Sequence, residues 1–217
     1  MQLTRERIIT AAVELIEGEG VGALSMRRIA TELGTEVMSL YDHVPSKAAL
    51  LDGVAERVLG GIDITTEPGA SWEEQIRAQA RAFWQVARVS PRSTMVVVGR
   101  PVDSAATLRP IERALATLRS AGFGGEDAVR VVRTFVAYVA GTLVREVGVT
   151  PGLEPQRPLG QDPAVLAADR PFLDPAEFPQ VMGVSTELLN RDFDADFEFG
   201  LNLLVRAVAD LRPARKS

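Results

Sequence analysis

Apolar residues recur every three to four positions through most of this chain, and glycine or proline separates the runs. Ile8, Ala12, Leu15 and Ile16 form one stripe of a first helix, Thr4 to Glu17, with Thr4 as its N-cap. Arg7 stands where a capping box needs Glu or Gln, so Thr4 caps alone. Gly18, Gly20 and Gly22 break the helix, and Val21 and Leu24 are expected to cover a small core from below. Ser25 caps a short helix with Ile29, Ala30 and Leu33 on one face, and Gly34 supplies a left-handed stop. Thr35 restarts the chain, Val37, Leu40, Tyr41 and Val44 carry a second short helix, and Pro45 ends it. Ser46 caps a helix over Lys47 to Leu59, with Leu50, Leu51, Val54 and Val58 apolar.

After a break made by Gly60 and Gly61 and then Thr65 to Gly69, Ser71 caps a long helix to Val89. Pro91 and Pro101 bracket a short helical piece. Its run Met95 to Val98 would also suit a strand, but no partner strand is visible. Ser104 to Ala121 and Glu126 to Val147 are two further helices, with Pro110 expected in the opening turn of the first. Residues 149–179 hold seven of the thirteen prolines, which predicts a long loop, either a passive connector or a flap over a ligand entrance. A last helix covers Asp194 to Leu211, and the tail RPARKS is expected to be disordered. The fold class is all-α: a three-helix head, residues 1–46, and a larger helical domain, residues 47–217.

The short helix, glycine turn and short helix of residues 25–44 form the helix-turn-helix layout, whose second helix enters the DNA major groove. With Leu40 and Val44 turned inward, Met38, Ser39, Tyr41, Asp42 and His43 face out. Arg27 and Arg28 open the first of the two helices and Lys47 opens the next, so cations flank the reading helix. Ser25 and Thr35, at the helix starts, complete the candidate DNA-binding set. A helical hairpin with ordinary surface polarity would show much of the same pattern.

Charge qualifies this picture. Net charge is −5, and residues 1–50 carry five Lys/Arg against seven Asp/Glu. Few phosphate contacts per subunit and a modest salt dependence follow. Glu14, Glu17 and Glu19 need not face DNA. Glu36 and Asp42 lie near the reading surface, where either could repel phosphate or accept from a cytosine amino group. There is no cysteine and only one histidine, His43, so no disulfide framework, His/Cys metal cluster or second histidine exists. No apolar run approaches a membrane span, and MQLTRER lacks the apolar core of a signal peptide, so a cytoplasmic protein is expected. No enzyme activity or cofactor is expected.

Phe83, Trp84, Met95, Val96, Leu115, Phe135 and Tyr138 are candidates to line an apolar cavity, with Gln79, Arg100 and Thr142 as sparse polar contacts. Two helices carry apolar residues on more than one face: Val129, Val132, Val136, Val139, Leu143 and Val147 on one side of residues 126–147 with Phe135 and Tyr138 on another, and a similarly wide coverage on residues 194–211. Such helices are buried twice, inside one subunit or across a symmetric dimer, and Gly141 and Gly200 permit close approach.

Residues 4–57, through TRERIITAAVELIEGEGVGALSMRRIATELG and SLYDHVPSKAALLDGVAERVL, resemble the DNA-binding domain of TetR-family transcriptional repressors. SWEEQIRAQARAF, VVVGRP, AGFGGEDAV and DFDADFEFGLNLLV, in that order, resemble the regulatory domain of tetracycline repressors. The resemblance implies a homodimer through residues 126–147 and 194–211, a near-palindromic double-stranded operator, and release by a small-molecule effector. It implies base contacts from Val37, Met38 and Ser39 and backbone contacts from Arg27, Tyr41, His43 and Lys47. In tetracycline repressors the drug arrives with magnesium, held partly by a histidine and assisted by a glutamate. The matching positions here are Val96 and Arg145, while Gln79 and Phe83 keep an amide and a phenyl ring. An apolar or anionic effector is therefore expected. The rival expectation is a ligand-sequestering or protein-interaction module with a vestigial head.

Overall fold

The protein was analysed as a computed structural model, which describes residues 2–147, 176–190 and 192–211. The proline-rich segment up to residue 175 and the RPARKS tail lie outside the described residues.

Capping chemistry sets the helix starts. Thr4 Oγ1 accepts from the Arg7 amide and opens α1, Arg5–Glu19. Ser25 Oγ accepts from the Arg28 amide and opens α2, Met26–Leu33. Gly34, at φ 63°, then stops α2 in the left-handed conformation, and the Thr35 amide closes onto the Ala30 carbonyl. The next helix, α3, is Val37–Tyr41, and Ser46 caps α4, Lys47–Gly60. Ile8, Ala12, Ile16, Leu24, Ile29, Leu40, Val44, Leu50 and Val54 close one core beneath these four helices. Val21 does not join it. It begins a one-turn 3₁₀ segment and is exposed, because the turn swings it outward while Leu24 fills the site.

Ser71 and Glu74 form a reciprocal capping box at the start of α5, Trp72–Val89. The apolar run before Gly99 is helical: α6 is Pro91–Val98. Ser104 and Thr107 cap α7, Ala105–Ser120. Because that cap sets the helix start at Ala105, Pro110 lies inside α7, past its opening turn, and its ring denies the Ala106 carbonyl its usual amide. Gly122, at φ 99°, turns the chain into α8, Gly125–Val147. Two short helices, α9 (Pro179–Gly183) and α10 (Ser185–Leu189), precede α11, Phe193–Asp210. No strand occurs among the described residues, in keeping with the all-α expectation.

A second core joins α5, α7, α8 and α11. Trp84 stacks on Phe197 with centroids 4.7 Å apart, and Tyr138 lies 5.7 Å from the same ring. Around them Arg81 grips Glu198 through two bonds of 2.6 and 2.7 Å, which holds the Glu198 carboxyl below the ordinary carboxylate range. Arg88 bridges Glu146 on α8 and Asp194 on α11.

Gly200 permits a close approach inside the subunit. A Cβ there would stand 2.7–2.8 Å from Tyr138 ring carbons, while Tyr138 Oη donates to the Phe197 carbonyl at 2.8 Å. The ring is pinned at both ends and cannot yield. Gly200→Ala is expected to destabilise by about 1–2 kcal/mol through this overpacking, read as a lower thermal midpoint; Tyr138→Phe combined with it should restore part of the loss, since it removes Oη, the atom nearest the new Cβ, and the bond that pins the ring. Gly141, by contrast, meets nothing and lies exposed on α8 beside Ala137. On α11, Phe199 and Leu203 are 69% and 51% exposed.

Candidate DNA-reading head and effector cavity

Leu40 is fully buried and seats α3 on the head, while Met38, two residues earlier and on the opposite side of the helix, is 74% exposed and Tyr41 41%. Asp42, His43 and Lys47 are exposed as well. Arg27, Thr35, Val37 and Ser39 line one open recess between α2 and α3. Arg27 and Lys47 have no ion-pair partner among the described residues. Arg28 differs: its guanidinium donates to Glu19 Oε1 at 2.6 Å, and that bond raises its pKa. Expected beside the DNA backbone, Arg28 also ties α2 to the end of α1 and keeps a side chain 42% exposed. Ser25 spends its hydroxyl on the cap. The surface around α3 thus presents the exposed Met38, Tyr41 and His43 beside half-buried Thr35 and Ser39, with the cations Arg27 and Lys47 and the acids Glu36 and Asp42 around them, a mixture that suits base edges and phosphates.

A cavity of about 170 Å³ lies between the end of α4 and helices α5 to α8. Of the expected lining, Gln79, Phe83, Arg100 and Phe135 border it. Met95, Val96, Leu115, Tyr138 and Thr142 do not. Met95 and Leu115 pack into the regulatory core, and Val96 packs against the head core, on the other side of α6. Tyr138 turns to α11, and Thr142 Oγ1 donates back to the Tyr138 carbonyl. Trp84, stacked on Phe197, is also outside. Sequence reasoning missed Leu59, Ile62, Ile64, Ile111, Val132 and Val136. For Ile62 and Ile64 the available signal was their apolar alternation, between the breaks at residues 60–61 and 65–69.

Polar atoms in the cavity wall are few and mostly engaged. Gln79 Nε2 donates to Thr117 Oγ1 at 3.0 Å, and Thr107 is committed to the α7 cap. Arg100 donates one N–H to Asp52 Oδ1 on α4 at 2.7 Å. The magnesium arrangement of tetracycline repressors does not fit: Val96 is hydrocarbon, and Arg145 is an exposed cation 3.9 Å from Asp196 Oδ2. Among the described residues no three His, Cys, Asp or Glu gather as a metal would need.

Helix α6 joins head and cavity. Val97 is buried in the head core, while Met95 packs against the other core. At its N-terminus α6 lacks a side-chain cap of its own. Glu17, on α1, supplies one: its carboxylate accepts from the Ser93 amide at 2.7 Å and the Arg92 amide at 3.2 Å. Arg92 in turn donates to the Glu17 and Gly18 carbonyls at the end of α1. At the other end, Arg100 reaches α4. The start of α6 is thus fastened to α1 of the head, and the chain just past its end to α4, by charge-assisted bonds.

The comparisons agree with this division of labour. Residues 8–54 match the family model described as bacterial regulatory proteins, tetR family, and residues 65–211 match the tetracyclin repressor-like C-terminal domain. The chain is 30% identical to the HTH-type transcriptional repressor DrrR1 of Streptomyces coeruleorubidus, over 99% of this chain and 80% of that one. It is 29% identical to the Escherichia coli tetracycline repressor protein class A from transposon 1721, over 97% and 93%. Among solved structures, the Streptomyces coelicolor TetR family protein ActR in complex with actinorhodin superposes with a TM-score of 0.78 at 26% identity, covering 99% of this chain and all of that one. ActR in complex with (S)-DNPA superposes at 0.76 and 25%, covering 97% and 98%. With a buried-leucine reading helix at one end, a regulatory helical body at the other, and both family models matched in order, the chain belongs to the TetR family of transcriptional regulators.

Proposed function

We propose that the chain acts as a homodimeric repressor that holds a palindromic operator through α3 and leaves it when a small organic effector enters the cavity between α4 and α8. The observation that carries this reading is α3 itself: Leu40 anchors it from below while Met38 and Tyr41 stand clear of the head. Val37, Met38 and Ser39 are assigned to base edges, and Arg27, Thr35, Tyr41, His43 and Lys47 to the sugar-phosphate backbone. Residues 1–46 are the reading unit and residues 47–217 the effector and dimer unit, with α4 as the shared link because Leu50 and Val54 also complete the head core.

The dimer is supported by apolar surface that no described residue of the protomer covers. Phe199 and Leu203 on α11 and the small Ala137 and Gly141 on α8 suit a four-helix packing about a two-fold axis. Val181 and Met182 on α9, Leu188 on α10 and Val184 between them are exposed as well. Two heads related by that axis call for half-sites about one helical turn apart. A DNA-binding role also favours the cytoplasm, and no described helix is long and apolar enough to cross a membrane. ActR, with ligands bound in its solved complexes, supports an effector in the corresponding domain here.

Selection of genomic fragments by the purified protein tests the reading. Enrichment of a palindrome is expected. On that site Tyr41→Ala should weaken binding about tenfold for every sequence variant, because a lost phosphate contact carries no base information. Ser39→Ala should instead change which bases are preferred at one position per half-site. Parent-like behaviour of both variants would overturn the contact assignment, and failure to enrich any palindrome would overturn the repressor reading.

A further inference from the structure

Arg100 has five N–H donors in its guanidinium, and only one meets an acceptor among the described residues, Asp52 Oδ1. Its side chain is about one-fifth exposed, at the edge of a cavity whose other walls are hydrocarbon or already bonded. No carboxylate borders that cavity. Such a site offers a guanidinium with unfilled donors in apolar surroundings, its charge balanced only by Asp52. We propose that it selects a ring-bearing organic monoanion, a carboxylate or an acid of like geometry, whose charge meets Arg100 in exchange for Asp52 while its rings lie against Phe83 and Phe135. A neutral ligand of the same shape offers at most a weaker, uncharged acceptor, and a cation meets like charge.

The exchange has a mechanical consequence. Asp52 belongs to α4, the helix that follows the reading head, and its bond to Arg100 is one of the fastenings of α6 to α4. A ligand anion that takes the guanidinium frees Asp52, which is 41% exposed and rehydrates readily. The differential contact needed for coupling is therefore the ion pair itself: present without the anion, broken with it.

The inference rests on the cavity being the effector site, and the experiment separates the two. Calorimetric titration of the full-length protein uses two probes of one shape, 2-naphthoate and 2-naphthamide. The carboxylate should bind about tenfold tighter, as expected for a hydrogen bond to a charged group in place of a neutral one. Arg100→Gln should remove that advantage and leave 2-naphthamide within about twofold. Asp52→Asn should raise 2-naphthoate affinity about threefold, since the internal competitor is gone, and leave the amide unchanged; a merely structural role for either residue would move both probes together. Equal binding of the two probes by the parent would overturn anion selection and spare the cavity. Ala114→Phe, which fills the cavity wall, should abolish both; if it leaves both intact, the cavity reading falls and this inference with it. Absence of binding by either probe overturns both.

Discussion

Leu40→Ala is expected to abolish operator binding although Leu40 touches no DNA. The side chain is fully buried at the centre of a small core, among Ile8, Ile16, Ile29 and Val44. Truncation removes its transfer free energy and leaves a cavity that two one- or two-turn helices cannot collapse around, a loss of roughly 2–5 kcal/mol. Helices α2 and α3 have eight and five residues, too short to persist without tertiary support. The deficit therefore falls on the reading unit and not on the regulatory core, which is built on α5, α7, α8 and α11. Expected results are loss of specific binding by at least a hundredfold and a lower-temperature first transition, with binding of 2-naphthoate retained. Parent-like operator affinity in this variant would show that α3 does not need its seat, and the reading-helix assignment would fail with it.

What the chain reveals before folding divides by range. The head was readable because its decisive signals are local: hydroxyl caps at Ser25 and Ser46, a left-handed glycine at Gly34, and apolar spacing that turns Leu40 inward. The cavity was half readable. Gln79, Phe83, Arg100 and Phe135 border it as expected, while Tyr138 and Met95 share the same periodicity yet point to other neighbours. Periodicity identifies an apolar face; how the helix is rotated against its neighbours is set by packing and is absent from any single segment. Gly200 was expected to serve close approach between subunits, and Tyr138 occupies that space from within. The Arg28–Glu19 bond was not legible because a turn whose path glycines conceal separates the two residues. Glu17 was the hardest case: as one more acid on an amphipathic helix, it resembled a solvated face.

Glu17→Ala is expected to separate the two halves of the molecule thermally while leaving each folded. Its carboxylate bonds two amides at the start of α6, from a position 75 residues earlier in the chain. No residue near α6 replaces it, since Ser90 makes no cap and Pro91 has no N–H to cap. Removal leaves two part-buried donors unpaired and deletes a negative charge at a helix N-terminus, together roughly 2–4 kcal/mol. That energy is stored across the junction between head and body, so its loss weakens cooperation more than either core. The parent should melt in one calorimetric transition, and Glu17→Ala in two, with the earlier one assigned to the head by loss of operator binding. Glu17→Gln, which keeps one acceptor oxygen but no charge, should fall between them. Arg92 would still hold the Glu17 and Gly18 carbonyls in either variant, so the separation should be partial and not a detachment. A single transition at the parent midpoint would mean that Arg100–Asp52 and the packing of Val97 suffice to couple the halves, and that the Glu17 cap is dispensable to the passage of signal from cavity to reading helix.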